Sequence, residues 1–501
     1  MNPRLLLGLV LLLRLPALAE TPRDLVVVND VADPVSLDPH REFDASSDNI
    51  VNQIFDGLLR LSPAGEVQPA LATSWRRIDE NTMEFSLRKG VLFHDGEPFT
   101  AEAVRFSLER QMDRSNPAPN AGLIKMIAGV QIVDEHTVRI KTTEPDGVLL
   151  NTLPMFVKIL PPKYLKEKGD AAFAEHPVGT GPFRFVRRIK GREIELAANE
   201  RYWMGAPRVA RLIFRFLPSG EQLPALLRGD VDMITDLSGL DTMKVAADPA
   251  LRVVKADNFY AISLIFNSRK APLSDVRLRE ALTDLIDVRD LIRYGARGNG
   301  RAMNSFTIEG EFGHDPDLPA RVFDRAGALR LLRAANIHGK LHLKVLIREE
   351  IKNFGLIIVS QLRKAGIEVD ERIASQEEVY RTVAAPKLTG TGAEWDGDIL
   401  ITHYVDPTAH VYFPYMIFIH SKGAYSLVGD DDFDALFEKM VKTMDTGEQR
   451  RLCHELELLV ARKHLAFSPL QVIRPFALKK KLRYDPSVTG MLDFRTTFWE
   501  D

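Results

Sequence analysis

Residues Thr73 to Arg110 read TSWRRIDENTMEFSLRKGVLFHDGEPFTAEAVRFSLER, and this stretch decides the fold. Met83, Phe85 and Leu87 alternate with polar residues, the period-two pattern of a half-buried strand. Lys89-Gly90 turns the chain, and His94-Asp95-Gly96 turns it again after a short apolar run. Thr100 is expected to cap a helix whose N-terminal dipole favours Glu102, with Val104, Leu108 and Met112 on its apolar face. Read from its residues alone, the block is a compact strand-turn-helix unit.

Around it lies a chain of 501 residues with 45% hydrophobic content, enough to bury more than one core. The length prior is about three domain-sized units. Arg4 precedes an apolar run from Leu5 to Leu13, and Ala17-Leu18-Ala19 offers a small-residue cleavage site. Residues 1–19 are therefore expected to be an export signal, leaving a protein outside the cytoplasm, in the periplasm. Arg14 interrupts the apolar run, which falls short of the roughly 20 residues a spanning helix needs. The one cysteine, Cys453, rules out an intramolecular disulfide, and none stands near the cleavage region to carry a lipid. The formal net charge is −3, mildly acidic and evenly spread, which argues against a nucleic-acid partner.

The rest of the chain alternates strands and helices. Asp24 to Asn29 is expected as a strand, followed by a helix around Asn49 to Leu59. Gln131 to Thr142 and Phe183 to Ala197 read as hairpins. Arg211 to Leu217, Glu221 to Arg228 and Val231 to Thr235 form a βαβ unit, with Gly229 stopping the helix. Tyr260 to Asn267 is a further strand, and a helix runs from Ser274 to Asp287. A second α/β unit has alternating Leu341, Leu343, Val345 and Ile347, a helix from Lys352 to Ala365, and strands at Ile367 to Asp370 and Asp398 to Thr402. Two helices follow, at Asp431 to Met444 and Glu448 to His464, the second with capping-box spacing at Thr446-Gly447-Glu448-Gln449. Leu465 to Ile473 returns as a strand.

As a string, the opening block resembles the signature of the extracytoplasmic solute-binding proteins of family 5, which serve peptide, dipeptide and nickel ABC importers. The likeness joins Ser74-Trp75, Leu87-Arg88-Lys89-Gly90, Phe93-His94-Asp95-Gly96 and Pro98-Phe99-Thr100-Ala101-Glu102 at family-like spacing. His176-Pro177-Val178-Gly179-Thr180-Gly181-Pro182-Phe183 is similar to the family's Pro-Val-Gly-Thr-Gly-Pro motif, and the run Asn267, Pro272, Asp275 to Arg279 is similar where the chain crosses between lobes. The resemblance implies an α/β, two-lobed periplasmic-binding-protein fold of type II. Lobe I would span 20–266, with an extra subdomain at about 45–178, and lobe II 267–474. Residues 475–501 would return to lobe I, making a hinge of two crossovers. It further implies a monomeric, non-enzymatic periplasmic component of an ABC transporter, capturing a peptide or peptide-like solute for an inner-membrane permease, with no cofactor.

Specificity is expected around Trp395 to His410, WDGDILITHYVDPTAH, where a strand ends and a polar, aromatic loop follows. Peptide-binding members of the family often have an acid before the tyrosine, which pairs with the ligand's α-amino group. Here that position is His403, and a neutral imidazole cannot hold an ammonium as a carboxylate does. Candidate ligand contacts are His403, Tyr404, Asp406, His410, Arg348, Trp395 and Asp38. Arg348 offers a fixed guanidinium to a carboxylate, or else a surface pair with Glu349 or Glu350. Tyr404, Tyr412 and Trp395 offer flat contact area, with core packing the other reading of Trp395. Asp38 and Asp56 lie in segments that resemble the cleft edge of lobe I, and either also suits a cap. Gly300 to Phe306 departs from the small residues and prolines that the family often has there.

His403, Asp406 and His410 are ligand types for a divalent metal, but their spacing is no recognised zinc pattern. They motivate one rival, a nickel or metal-chelate carrier; an Asp406–His403 pair motivates another, a periplasmic hydrolase. No G-x-S-x-G elbow, H-E-x-x-H helix or Walker A string occurs. Cys453, among Leu452, Leu456 and Leu459, reads as a buried thiol.

Overall fold

The computed structural model describes residues 23–501 apart from 30–32, 42–44, 117, 119–120, 236, 238, 320 and 336–339. The expected export signal, 1–19, lies outside the described residues. Two large sheets carry the molecule. The first has seven strands in the order Leu251–Ala256, Arg474–Lys479, Met233–Ile234, Arg23–Asn29, Val209–Phe216, Glu193–Ala198 and Phe183–Ile189. Arg23–Asn29 runs parallel to both of its neighbours. Leu25 and Val27 face one core and Val28 the other, which is why this strand reads as a continuous apolar run rather than an alternation.

The second sheet has six strands, ordered Gly300–Ala302, Ala466–Val472, Tyr260–Phe266, Ile399–Val405, His342–Arg348 and Glu368–Ala374. It too is covered on both faces. Val345, Ile347, Ile399 and Ile401 pack beneath the helices Val276–Asp284 and Lys352–Lys364, while Leu346, Leu400 and Tyr404 face a core shared with Phe433, Leu452 and Cys453.

The chain passes from the first sheet to the second across residues 257–259 and returns across Ile473. The division at 266/267 expected from the sequence falls at the far end of the strand Tyr260–Phe266. Asn258 ties the two crossings together. Its carbonyl accepts from Gln471 Nε2 at 2.9 Å, and its Nδ2 donates to the Ser487 carbonyl at 3.0 Å.

The opening block forms a four-stranded antiparallel sheet and its covering helix. Ala72–Asp79, Thr82–Leu87, Thr137–Thr142 and Ile127–Asp134 pair in that order. The helix Ala101–Met112 buries Ala101, Ala103, Val104 and Leu108. Thr100 occupies the N-cap position, but its side chain makes no capping bond. The Ala101 N–H is instead satisfied by the Glu135 carbonyl at 2.9 Å. The two family-like motifs meet in space. His94 Nε2 contacts the Gly181 carbonyl at 3.0 Å, and the His94 N–H donates to the Gly179 carbonyl at 2.8 Å. Gly179 and Gly181 are required because a Cβ there would lie 2.1 Å from the Ile54 oxygen and 2.5 Å from its carbonyl carbon, respectively.

Other local expectations shift by a few residues. The first helix is Ala45–Ile54 rather than Asn49 to Leu59, because Leu59–Leu61 is taken into a hairpin with Val67–Pro69. The helix Thr446–Lys463 is capped by Asp445, which accepts from the Glu448 N–H at 2.8 Å, so the cap stands one residue before Thr446. Among the described residues no helix is long and apolar enough to cross a membrane.

Candidate ligand-binding site

A cleft of about 760 Å³ opens between the two sheets at their crossovers. The second sheet contributes Tyr260, Arg348, His403 and Val405; the first-sheet side contributes Asn49, Thr235, Leu237 and Phe476. Arg348 and Val405 end parallel strands, so the cleft lies outside the carboxyl ends of an α/β sheet, where fixed polar groups converge on a ligand.

His403 reaches Arg474 through the ring of Tyr260. Its imidazole stacks on Tyr260 at 4.8 Å between centroids and 11° between planes. The Arg474 guanidinium lies 5.5 Å from the other ring partner's centroid, that of Tyr260. Burial, then the Arg348 and Arg474 guanidiniums, hold His403 well below the ordinary imidazole value, so it is neutral. Its Nδ1 has no partner among the described residues.

Arg348 ends its strand with a side chain only 12% exposed. Among the described residues its one ion-pair partner is Glu350 at 3.5 Å, on the rim, and its buried Nε has no partner. A buried guanidinium N–H left unpaired costs free energy until an acceptor arrives. The surface pair expected with Glu350 forms at the rim, and the Nε donor is left over.

The other expected residues lie elsewhere. Tyr404 borders the cleft, yet its ring points into the core behind the sheet and its hydroxyl donates to the Phe306 carbonyl at 3.0 Å. Asp406 is fully buried. Its Oδ1 accepts from the Thr408 N–H and hydroxyl at 2.8 and 2.7 Å, and its Oδ2 from the His410 N–H at 2.7 Å. It folds its own loop. His410 is also buried, stacked on Phe312 at 4.7 Å, with Nδ1 accepting from the Tyr412 N–H at 3.0 Å. It borders a different cavity from His403. Trp395 packs against the core, its ring so close to Gly397 that a Cβ there would approach to 1.8 Å. Asp38 is buried in an ion pair with Arg110 at 2.5 Å. The structure therefore brings together Arg348 and His403 and separates them from Asp38, Trp395, Asp406 and His410. No Asp406–His403 pair forms, because both Asp406 oxygens serve the loop. Among the described residues no three His, Cys, Asp or Glu side chains are grouped to hold a metal ion.

Tyr260 and Arg474 were not singled out by the sequence. The available signal was position, since each is the first strand residue after a crossover.

Residues 66–426 match the model of the bacterial extracellular solute-binding proteins, family 5 (middle region). The chain belongs to this family of solute-binding proteins. It is 26% identical over 387 residues to heme-binding protein A of Haemophilus influenzae, covering 71% of this chain and 70% of that one. It is 28% identical over 319 residues to the dipeptide-binding protein of Escherichia coli, covering 59% of each. Among solved structures, the periplasmic binding protein DppA of Helicobacter pylori in complex with the peptide STSA superposes with a TM-score of 0.81 at 24% identity. That match covers 95% of this chain and 98% of the other, and it shows the two-lobed periplasmic-binding-protein fold. In this family 5 protein the two sheets are thus the cores of two lobes, and the cleft lies between them.

Proposed function

We propose that this family 5 protein is the periplasmic, monomeric substrate-binding component of an ABC importer. It captures a carboxylate-bearing, peptide-like solute between its lobes and delivers it, chemically unchanged, to an inner-membrane permease. One observation carries the reading: Arg348 presents a buried, unpartnered Nε in the interlobe cleft beside the neutral His403. A guanidinium fork suits a carboxylate, and a neutral imidazole suits an uncharged group where an acid would hold an ammonium. The dipeptide-binding relative and the peptide-bound neighbour support a peptide-like cargo. We place lobe I at 23–256 and 474–501, lobe II at 260–472, and the hinge at 257–259 and Ile473, following the sheets. A solute touching both lobes stabilises the closed form by its extra contacts there.

Native mass spectrometry of gently purified protein tests this. The expected result is a retained small molecule with at least one carboxylate, lost in Arg348→Gln. Retention of a cationic or uncharged molecule, or an undiminished complex in Arg348→Gln, removes the reading.

A further inference from the structure

Lobe I holds a second cavity, of about 490 Å³, that the cleft does not use. Its walls are the hairpin Leu59–Leu61 and Val67–Pro69, the end of the helix Leu149–Phe156, and the C-terminal segment around 485–496. It shares Thr489, Met491 and Leu492 with the interlobe cleft, so the two spaces meet at one strap of chain.

Two of the cations that line this cavity, Lys158 and Arg60, form no ion pair among the described residues. Lys158 is buried, and its Nζ donates to the Pro154 carbonyl at 3.0 Å, which satisfies one of three N–H groups. Burial pulls its pKa down, while Asp48 and Asp56 favour its charged form through space without a hydrogen bond or ion pair to it among the described residues. The Arg60 side chain forms no hydrogen bond or ion pair among the described residues, and its Nε is buried without a partner. The acids bordering the cavity are otherwise employed or unpaired with these cations. Asp56 accepts from Tyr202, Thr180 and Trp203 at 3.0, 3.0 and 2.8 Å. Asp493 is held by Arg495 through both its oxygens. Asp485 makes no ion pair with either cation.

A buried ammonium is costly unless paired, and a guanidinium N–H without an acceptor adds to that cost. Lys158 keeps two N–H groups and Arg60 its buried Nε–H without an acceptor among the described residues, and a carboxylate seated in the cavity supplies one to each. The alternative resolution, a Lys158 that releases its proton, leaves the Arg60 Nε unserved. We infer that the Lys158–Arg60 cavity of lobe I is a second binding site, taking the carboxylate of a small organic acid. That carboxylate comes either from a free acid or from the far end of a solute already held in the interlobe cleft. The free-acid source stands apart from the role proposed for Arg348, and the spanning solute rests on that role.

Isothermal titration of the mature chain with glutarate reads the site. Saturable binding is expected, weakened about tenfold or more in both Arg60→Gln and Lys158→Met, and retained in Arg348→Gln. Lack of saturation up to about 10 mM, or binding that survives both lobe I substitutions, overturns the inference. Loss in Arg348→Gln alone assigns glutarate to the cleft and overturns it too, while upholding the cleft reading. Should Lys158→Met fail to fold, Arg60→Gln alone decides, since the Arg60 side chain makes no hydrogen bond or ion pair among the described residues that the substitution would break. A second probe, N-acetyl-Ala-Ala-Glu, separates the two sources. Weakening by both Arg60→Gln and Arg348→Gln marks one solute spanning both spaces. Weakening by Arg348→Gln alone, with glutarate still lost in Arg60→Gln, marks the lobe I site as one for free acids.

Discussion

The Tyr260 ring lies flat on the His403 imidazole, 4.8 Å between centroids and 11° from parallel. The register explains it. Ile262 pairs with His403 and Tyr260 with Val405, so Tyr260 and His403 are diagonal neighbours on one face of an antiparallel pair. Tyr260 follows the first crossover directly, and Arg474, over its ring, follows the second. Tyr260 holds the imidazole directly, and Arg474 bears on it through the Tyr260 ring. A Tyr260→Leu and His403→Leu double-mutant cycle, read by urea unfolding, is expected to give a coupling of about 0.5–1.5 kcal/mol. Coupling indistinguishable from zero would show the stack to be mere proximity.

His403→Asp tests the chemistry of the same position. The substitution puts a carboxylate beside Arg348 and Arg474 where the neutral ring stood. It is expected to create affinity for dialanine, whose free ammonium then has a charge-assisted acceptor worth about 1.5–3 kcal/mol, or roughly tenfold or more in Kd. Calorimetric titration of both proteins with dialanine checks it. Equal, weak binding by the two proteins would mean that residue 403 does not face the amino end of a peptide.

Why some of this was legible in the sequence, and some not, follows from the range of the interactions. The accessory sheet and its helix were legible because alternation at Met83, Phe85 and Leu87, and glycine turns at Gly90 and Gly96, are local causes. That Arg348 and His403 reach the cleft was legible because Arg348 ends a strand and His403 stands two residues before the end of another. Asp406 and His410 were not, because a side chain that hydrogen-bonds its own loop has the same letter as one that reaches a ligand. Asp38 is neutralised by Arg110, 72 residues away. The stack on His403 depends on which strands pair, and neither Tyr260 nor Arg474 carries a local mark of it. The exchange of N-cap from Thr446 to Asp445 is a smaller case, in which two adjacent residues each suit the cap and tertiary fit selects one.

Gly179→Ala measures how closely the two family-like motifs are packed. The new Cβ would sit 2.1 Å from the Ile54 carbonyl oxygen and 2.8 Å from the Phe55 ring, with backbone on one side that cannot swing away. Relief requires moving the segment that also accepts and donates to His94. The expected cost is about 3 kcal/mol, at the upper end for overpacking, read as a lowered urea midpoint with little change in slope. A loss under about 0.5 kcal/mol would mean that the motif yields easily and that its glycines serve something other than close approach.

Glu457 supplies a pH-dependent stability of predictable sign. Its carboxylate is buried among Thr307, Tyr415, the Asp315 N–H and His314, and burial pushes it up to about 7. Asp406 is pushed up to about 6 by burial, and Glu311 beside it is raised well above the usual range. These groups bind protons more tightly folded than unfolded, so between roughly pH 4 and 7 the native state holds more protons and its stability falls as pH rises. Histidines act in the opposite sense. His40, His94, His410 and His464, each lowered to about 4 by burial, lose stability as pH falls from about 6.5 towards 4. Above pH 6.5 that second contribution fades, and the remaining slope belongs to the acids. Wild-type stability is therefore expected to decline from pH 6.5 to 8. Glu457→Gln keeps an acceptor for Thr307 and the Asp315 N–H without the charge. It should flatten that decline and raise stability at pH 8 by about 1–3 kcal/mol. Thermal unfolding of both proteins across pH 5–8 checks it, and parallel curves for the two would exclude Glu457 as the source.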